Sequence, residues 1–198
     1  MTARKLVAAA ERQNLRALAR AHAAATPETP LEMVGPLGDY RPKNLTELAT
    51  ESDIVLRGTL TPVNTYLGRN EDRILTDYRI QTQQLIAGSA PPATLRTPGN
   101  VQPFLLTVYG GELRLDGVLV RATDPNRGDI VQGKSYLLFL KRSRSGDAGY
   151  YEIYHGAMFE VSENRVKPVF KDGGRIFKDV ADSTVEEMIV NIDAARLK

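Results

Sequence analysis

This chain has few residues that could carry chemistry. It holds two histidines, His22 and His155, and no cysteine. Thiolate nucleophiles, disulfides and cysteine metal sites are therefore excluded. The histidines stand far apart and form neither H-x-x-x-H nor H-E-x-x-H, so no metal and no cofactor is expected. There is no G-x-S-x-G, and a Ser–His–acid site would have to use one of these two histidines. His155 precedes Gly156 at the end of a strand-like run and reads as structural or solvent-facing. Gly110-Gly111 and Gly173-Gly174 read as turns, because no Walker or dinucleotide glycine pattern surrounds them.

Carboxylates are the remaining enzymatic resource. Glu71-Asp72, Asp124 with Asp129, and Glu186-Glu187 fall in loops or on a helix face. A catalytic carboxylate needs burial, so these read as solvated surface. Asp77 differs, lying mid-strand beside Tyr78 and Arg79 with Arg57 on the neighbouring strand. A cross-strand contact with Arg57, or one with Arg79, is the expected role. A hydrolase built on Asp77 or the loop carboxylates is the enzymatic alternative, without an assembled nucleophile–base set behind it.

Two aromatic–basic groupings remain. Tyr66 lies near Arg69 and Arg73; Tyr150 and Tyr151 follow a stretch holding Lys141, Arg142 and Arg144. Single-strand binding would use such tyrosines as stacking platforms. The formal net charge of +2 argues against nucleic acid. The bland role for the tyrosines is a barrel wall with wet hydroxyls. As a protein-binding surface, the same loops give Tyr66, Arg69, Arg73, Lys141, Arg142 and Arg144 as the residues to test.

The elements that would position these residues are mostly strands. In Leu75–Gly88, Tyr78, Ile80 and Thr82 point one way while Asp77, Arg79 and Gln81 point the other. This period of two predicts a half-buried strand, with a bulge or strand end where the apolar phase slips to Leu85-Ile86. Asp53–Asn64 alternates likewise, with Ile54, Leu56, Gly58 and Leu60 on one face. The mid-strand glycine marks a bend or close backbone approach. A polar loop, Thr65–Arg73, joins the two strands. Further strands are predicted at Thr94–Thr97, Phe104–Tyr109, Val118–Ala122, Tyr136–Leu140 and Tyr150–Tyr154. Met158–Val161 and Arg165–Phe170 form a last hairpin around Glu163-Asn164. Tyr136–Leu140 (YLLFL) is apolar throughout, so both of its faces need cover. Many short strands separated by Gly and Pro predict a closed antiparallel barrel or sandwich.

The flanks differ in composition. Met1–Thr26 has no Gly or Pro and predicts a helix, with a thin stripe of Val7, Leu15, Leu18, His22 and Ala25. It reads as docked on the domain, or as a surface for a partner or a second copy; a membrane-surface helix is the remaining reading and lacks Trp or Phe anchors. Glu11 and Asn14 interrupt any signal-peptide apolar region. Pro27–Asn44 holds four prolines and two glycines and predicts an extended connector without regular structure. Leu45–Thr50 predicts a short helical turn capped by Asn44. Asp172-Gly173-Gly174 reads as a turn. Ser183-Thr184-Val185-Glu186 reads as a capping box, and Val185, Met188, Ile189 and Ile192 mark one helix face. That face should cover the outer side of YLLFL or plug a barrel end.

Four segments in order resemble a known family: Ser52–Thr61, Leu75–Gly88, Ile130–Leu140 and Tyr151–Val161. The set is similar to bacterial proteins whose OB-like barrel resembles the inhibitory domain of the tissue inhibitors of metalloproteinases. Thr76, Asp77, Ile80 and the Leu85-to-Gly88 ending, one residue longer than the family's, match that family's second strand. Gly133, Tyr136, Leu138 and Phe139 match its glycine before an aromatic–leucine strand. The resemblance spans Ser52–Val161 and implies a fold and, by family habit, export to the periplasm or beyond. The animal inhibitors chelate the protease zinc through an N-terminal cysteine. No cysteine exists here, so that mechanism and its residues do not transfer.

With 42% hydrophobic and 25% charged residues, the composition suits a domain with a real core. No apolar run approaches the roughly 18 residues of a membrane helix. The expected organisation is an N-terminal helix (1–26), a linker with a short helical turn (27–51) and a barrel domain with a C-terminal amphipathic helix (52–198). The expected fold is mainly β, an OB-like antiparallel barrel. The expected function is a non-enzymatic binding module for a protein partner, with homo-oligomerisation through the N-terminal helix as a further option.

Overall fold

The computed structural model describes residues 14–26, 28–35, 44–89, 104–142, 150–170, 180 and 183–197. The predicted strand at Thr94–Thr97, the turn at Asp172–Gly174 and the loop position Arg144 lie outside them. The protein is mainly β, with a closed five-strand barrel and a helix towards each end of the chain. Among the described residues no helix is long and apolar enough to cross a membrane. The chain forms two compact units: 1–38, 63–77 and 108–125 in the first, and 39–62, 78–107 and 126–198 in the second.

The first unit holds α1 (Leu15–Ala25), β1 (Leu31–Val34), β5 (Gly111–Leu115) and β6 (Val118–Thr123). It also holds the last residues of β2 (Ile54–Leu67), the first of β3 (Ile74–Gly88) and the last of β4 (Leu105–Tyr109). A three-stranded sheet runs β1-β6-β5, with β1 parallel to β6 and β5 antiparallel to it. Leu15 and Ala19 of α1 are buried with Leu31, Ile74, Leu115, Val118, Val120 and Ala122.

Two expectations are corrected here. The linker is not free of regular structure. Leu31–Val34 forms β1, because β6 supplies a backbone ladder and Leu31 a buried anchor. Nor is 1–26 one unbroken helix: Asn14 is extended, and its side chain accepts from the Ala17 N–H at 3.0 Å, so α1 begins at Leu15.

The second unit carries the rest of β2, β3 and β4, with α2 (Leu45–Glu51), β7 (Ser135–Arg142), β8 (Tyr150–Ser162), β9 (Arg165–Pro168) and α3 (Val185–Arg196). The strand order is β4-β3-β2-β7-β8-β9, and a β4–β8 pairing closes the barrel. Numbering the barrel strands in chain order, the circuit is 1-2-3-5-4-1. The closing pair is parallel, Leu105 with Tyr150 and Leu106 with Tyr151, and is the departure from the antiparallel expectation. β8 runs unbroken where two strands were expected, and its ladder with β7 shifts register between Leu138 and Leu140.

The YLLFL strand is covered on both faces, as its composition requires. Leu137 and Phe139 join Val55, Phe159, Val185, Met188 and Ile192 beneath α2 and α3. Tyr136, Leu138 and Leu140 alternate with them and are fully buried, as are Leu56 and Leu60 of β2. α3 thus covers the outer face of β7. Its start is a complete capping box one residue later than expected, Thr184 with Glu187 in place of Ser183 with Glu186. Of the two roles expected for Gly58 the close backbone approach is seen: a Cβ there would stand 2.7 Å from the Gln81 carbonyl oxygen. Burial in β3 passes from Ile80 to Ala87 across an exposed run, so the pair expected to take up the apolar phase does not: Leu85 is exposed and Ile86 half-buried.

Candidate functional site

In the first unit, a turn at Gly68–Arg73 closes the end of β2 onto β3, the Gly68 N–H donating to the Arg73 carbonyl at 2.8 Å. Arg69 is exposed at its tip. Arg73 clasps Asp72 with Nε and Nη2 at 3.0 and 3.1 Å. Glu71 is turned towards α1. Its carbonyl accepts from the Leu15 N–H at 2.8 Å, and its carboxylate accepts from Arg16 and Asn14, each at 2.9 Å. The turn expected to be a recognition loop therefore also fastens a helix.

Tyr66 donates its hydroxyl to Asp77 Oδ1 at 3.2 Å. Asp77 is buried at 6% exposure. The sequence foresaw a contact with Arg57 or Arg79; the phenol of Tyr66 is one partner of Asp77 in the structure, and Arg57 donates Nε to Ser135 Oγ at 3.1 Å. The alternate side chains form a second cross-strand contact. Thr65 meets Thr76 at 3.0 Å, and Thr76 donates to the Gly110 carbonyl at 2.6 Å. The Tyr109 phenol is pushed above its usual pKa by burial, then by Asp124 and Asp72, with Arg73 opposing. It stays protonated at neutral pH.

In the second unit, Lys141 and Arg142 are strand residues at the end of β7. Lys141 Nζ donates to the Glu51 carbonyl. The Arg142 backbone N–H donates to Asp53 Oδ2 at 2.8 Å, and its side chain is exposed. Tyr66, Arg69 and Arg73 are thus grouped in one unit and Lys141 and Arg142 in the other. On the barrel's outer wall a polar chain runs from Arg57 through Ser135 to Gln83, the second step at 2.7 Å. Burial raises the pKa of Tyr78 and of Tyr136. The Tyr136 hydroxyl accepts from the Val131 N–H at 2.8 Å, so both read as wall tyrosines.

Three of the other candidates have structural partners, and the His155 side chain lies outside the described residues. His22 Nε2 sits 2.9 Å from the Thr29 carbonyl and ties the end of α1 to the approach to β1. Glu187 completes the α3 cap, and Glu186 accepts from Asn164 Nδ2 at 2.5 Å. Among the described residues, no group of three or more His, Asp or Glu is placed to hold a metal.

One constellation escaped the sequence reading. Glu32 of β1, Arg121 of β6 and Glu112 of β5 stand directly opposite one another across the three-stranded sheet. Arg121 Nε contacts Glu112 at 2.8 Å and Nη1 contacts Glu32 at 3.7 Å. The signal was the exposed–buried alternation of both edge strands, hidden by the prolines before β1 and the glycines before β5. No family model and no curated protein sequence matches the chain.

Proposed function

We propose that this protein is a non-enzymatic interaction module whose partner is another protein. One observation carries the reading. The barrel's inward side chains are closed off from solvent, with Leu56, Leu60, Tyr136, Leu138 and Leu140 at 1% exposure or less. A barrel closed to solvent leaves recognition to its outer surface, where a rigid scaffold presents strands and turns. The 1-2-3-5-4-1 circuit supports an OB-type barrel, a fold that presents the outer face of its second and third strands. Here the exposed row on the second of these strands reads Arg79, Gln81, Gln83 and Leu85. Such a mixed polar and apolar row suits a protein surface better than stacked bases, which want aromatic platforms. The likeness to the metalloproteinase-inhibitor barrel, and the export that goes with it, belong to this same proposal.

The test is a photo-crosslinking residue placed at Gln81, with Glu163 in the β8–β9 turn as control. The reading expects one discrete adduct with a single polypeptide from native lysate at Gln81 and none at Glu163. A rise in fluorescence anisotropy of labelled oligo-dT at physiological salt, abolished by Arg79→Gln, would replace it with nucleic-acid binding.

A further inference from the structure

The three-stranded sheet ends on β1, and among the described residues no strand lies beyond it. β1 is parallel to β6, and the Gly35 N–H donates back to the Thr123 carbonyl at 2.8 Å. Backbone groups alternate along a strand, so Glu32 and Val34 direct their N–H and C=O away from β6. An edge of this kind is a template for an added strand. The side chains on its outer face are Glu32 and Val34, at 59% and 44% exposure.

The charges across this face say what would fit. In register, the row reads Glu112, Arg121, Glu32, alternating negative, positive, negative. The next place in the row lies beyond the β1 edge, opposite Glu32. Opposite charges directly across a ladder stabilise it and like charges oppose it. β1 itself, Leu-Glu-Met-Val, holds no cation to offer from a second copy. We propose that the β1 edge accepts an extended segment of a partner protein carrying Lys or Arg opposite Glu32, with an apolar residue beside Val34. This rests on the protein-interaction reading and names the chemistry of the partner.

The experiment uses the full chain and two capped peptides, TVTKTVT and TVTETVT, whose central charge and flanking valines share one face, at low ionic strength. Amide hydrogen exchange is followed residue by residue by NMR. The proposal expects the basic peptide to slow exchange at Glu32 and Val34 by about twofold at half-saturation. It also expects that peptide to bind about two- to fivefold more tightly than the acidic one. Glu32→Lys, a surface change, should reverse the preference. Equal affinity of the two peptides, or protection confined to other strands, overturns the proposal and leaves an interaction module in place. Concentration-dependent protection of Glu32 and Val34 without peptide would assign the edge to a second copy and overturn it too. If neither peptide binds and no crosslink forms at Gln81, both readings fall together.

Discussion

The two units hold themselves together by different physics. The second buries large side chains on both faces of β7. Phe139 and Phe159 meet edge-to-face at 6.0 Å beneath two helices, and both are fully buried. The first has a smaller, aliphatic cluster, and α1 is fastened to it as much by charge as by burial. Arg16 pairs with Glu71 at 2.9 Å, and Arg20 with Asp116 at 2.6 Å. Burial is insensitive to salt, whereas exposed ion pairs contribute little and are screened. The comparison predicts one unit that resists most conditions and one whose helix loosens first.

The largest expected effect tests the core of the second unit. Phe159→Ala should cost about 3–5 kcal/mol, from lost burial plus the cavity left beneath α3. Urea denaturation monitored within α3 and β7 measures it; a cost under about 1 kcal/mol would mean that the helices close the gap, and that this core is not tightly packed. Leu15→Ala is the counterpart in the first unit. Leu15 is 2% exposed, so a loss of about 2–3 kcal/mol is expected, read by amide exchange along α1. A smaller loss would mean that the ion pairs, and not this anchor, hold the helix.

The contrast follows what could be read in the sequence. β2, β3, β7 and α3 were legible because each carries its own periodicity: a period of two, a continuous apolar run, or an i, i+3, i+4, i+7 stripe after a cap. The expectation that α3 covers YLLFL was met for the same reason, since an all-apolar strand must be buried on two sides. β1 and β5 were not legible. Each is four or five residues long, and β1 exists because β6 pairs with it in parallel. Such a strand is specified by a partner distant in sequence, which local pattern does not show. The candidate site followed the same divide. Arg69 and Arg73 were placed in the turn they occupy, whereas Tyr66, expected in the loop, lies within β2, and the Tyr66–Asp77 bond and the Glu71 clasp on α1 depend on register and docking. The Glu32–Arg121–Glu112 row was invisible without β1.

A smaller effect isolates the charges on α1. Asp116 has φ of 50° and accepts from both Arg16 and Arg20. Asparagine tolerates that backbone conformation, so Asp116→Asn removes charge without new strain. Exchange along α1 should quicken by an amount worth about 0.5 kcal/mol at low salt. The difference should vanish near 1 M salt, where the screening length falls to about 3 Å. A difference that survives high salt would assign the contribution to hydrogen-bond geometry instead of charge.

The smallest expected effect lies in the second unit and is seen only as a titration. The Glu186 carboxyl is held below its usual pKa, first by the hydrogen bond from Asn164, then by its own backbone N–H. A carboxyl depressed on folding adds stability above its unfolded pKa, and that contribution is lost as pH falls through the folded value. Asn164 has φ of 64°, so Asn164→Gly removes the donor while keeping the turn that leads from β8 into β9. The Glu186 carbon resonance in a pH titration should then move its midpoint up towards the ordinary carboxylate range, and the acid-side dependence of α3 opening should weaken. An unmoved midpoint would place the effect in the first turn of α3, where the helix dipole and the Glu186 backbone N–H favour a carboxylate whether or not Asn164 is present.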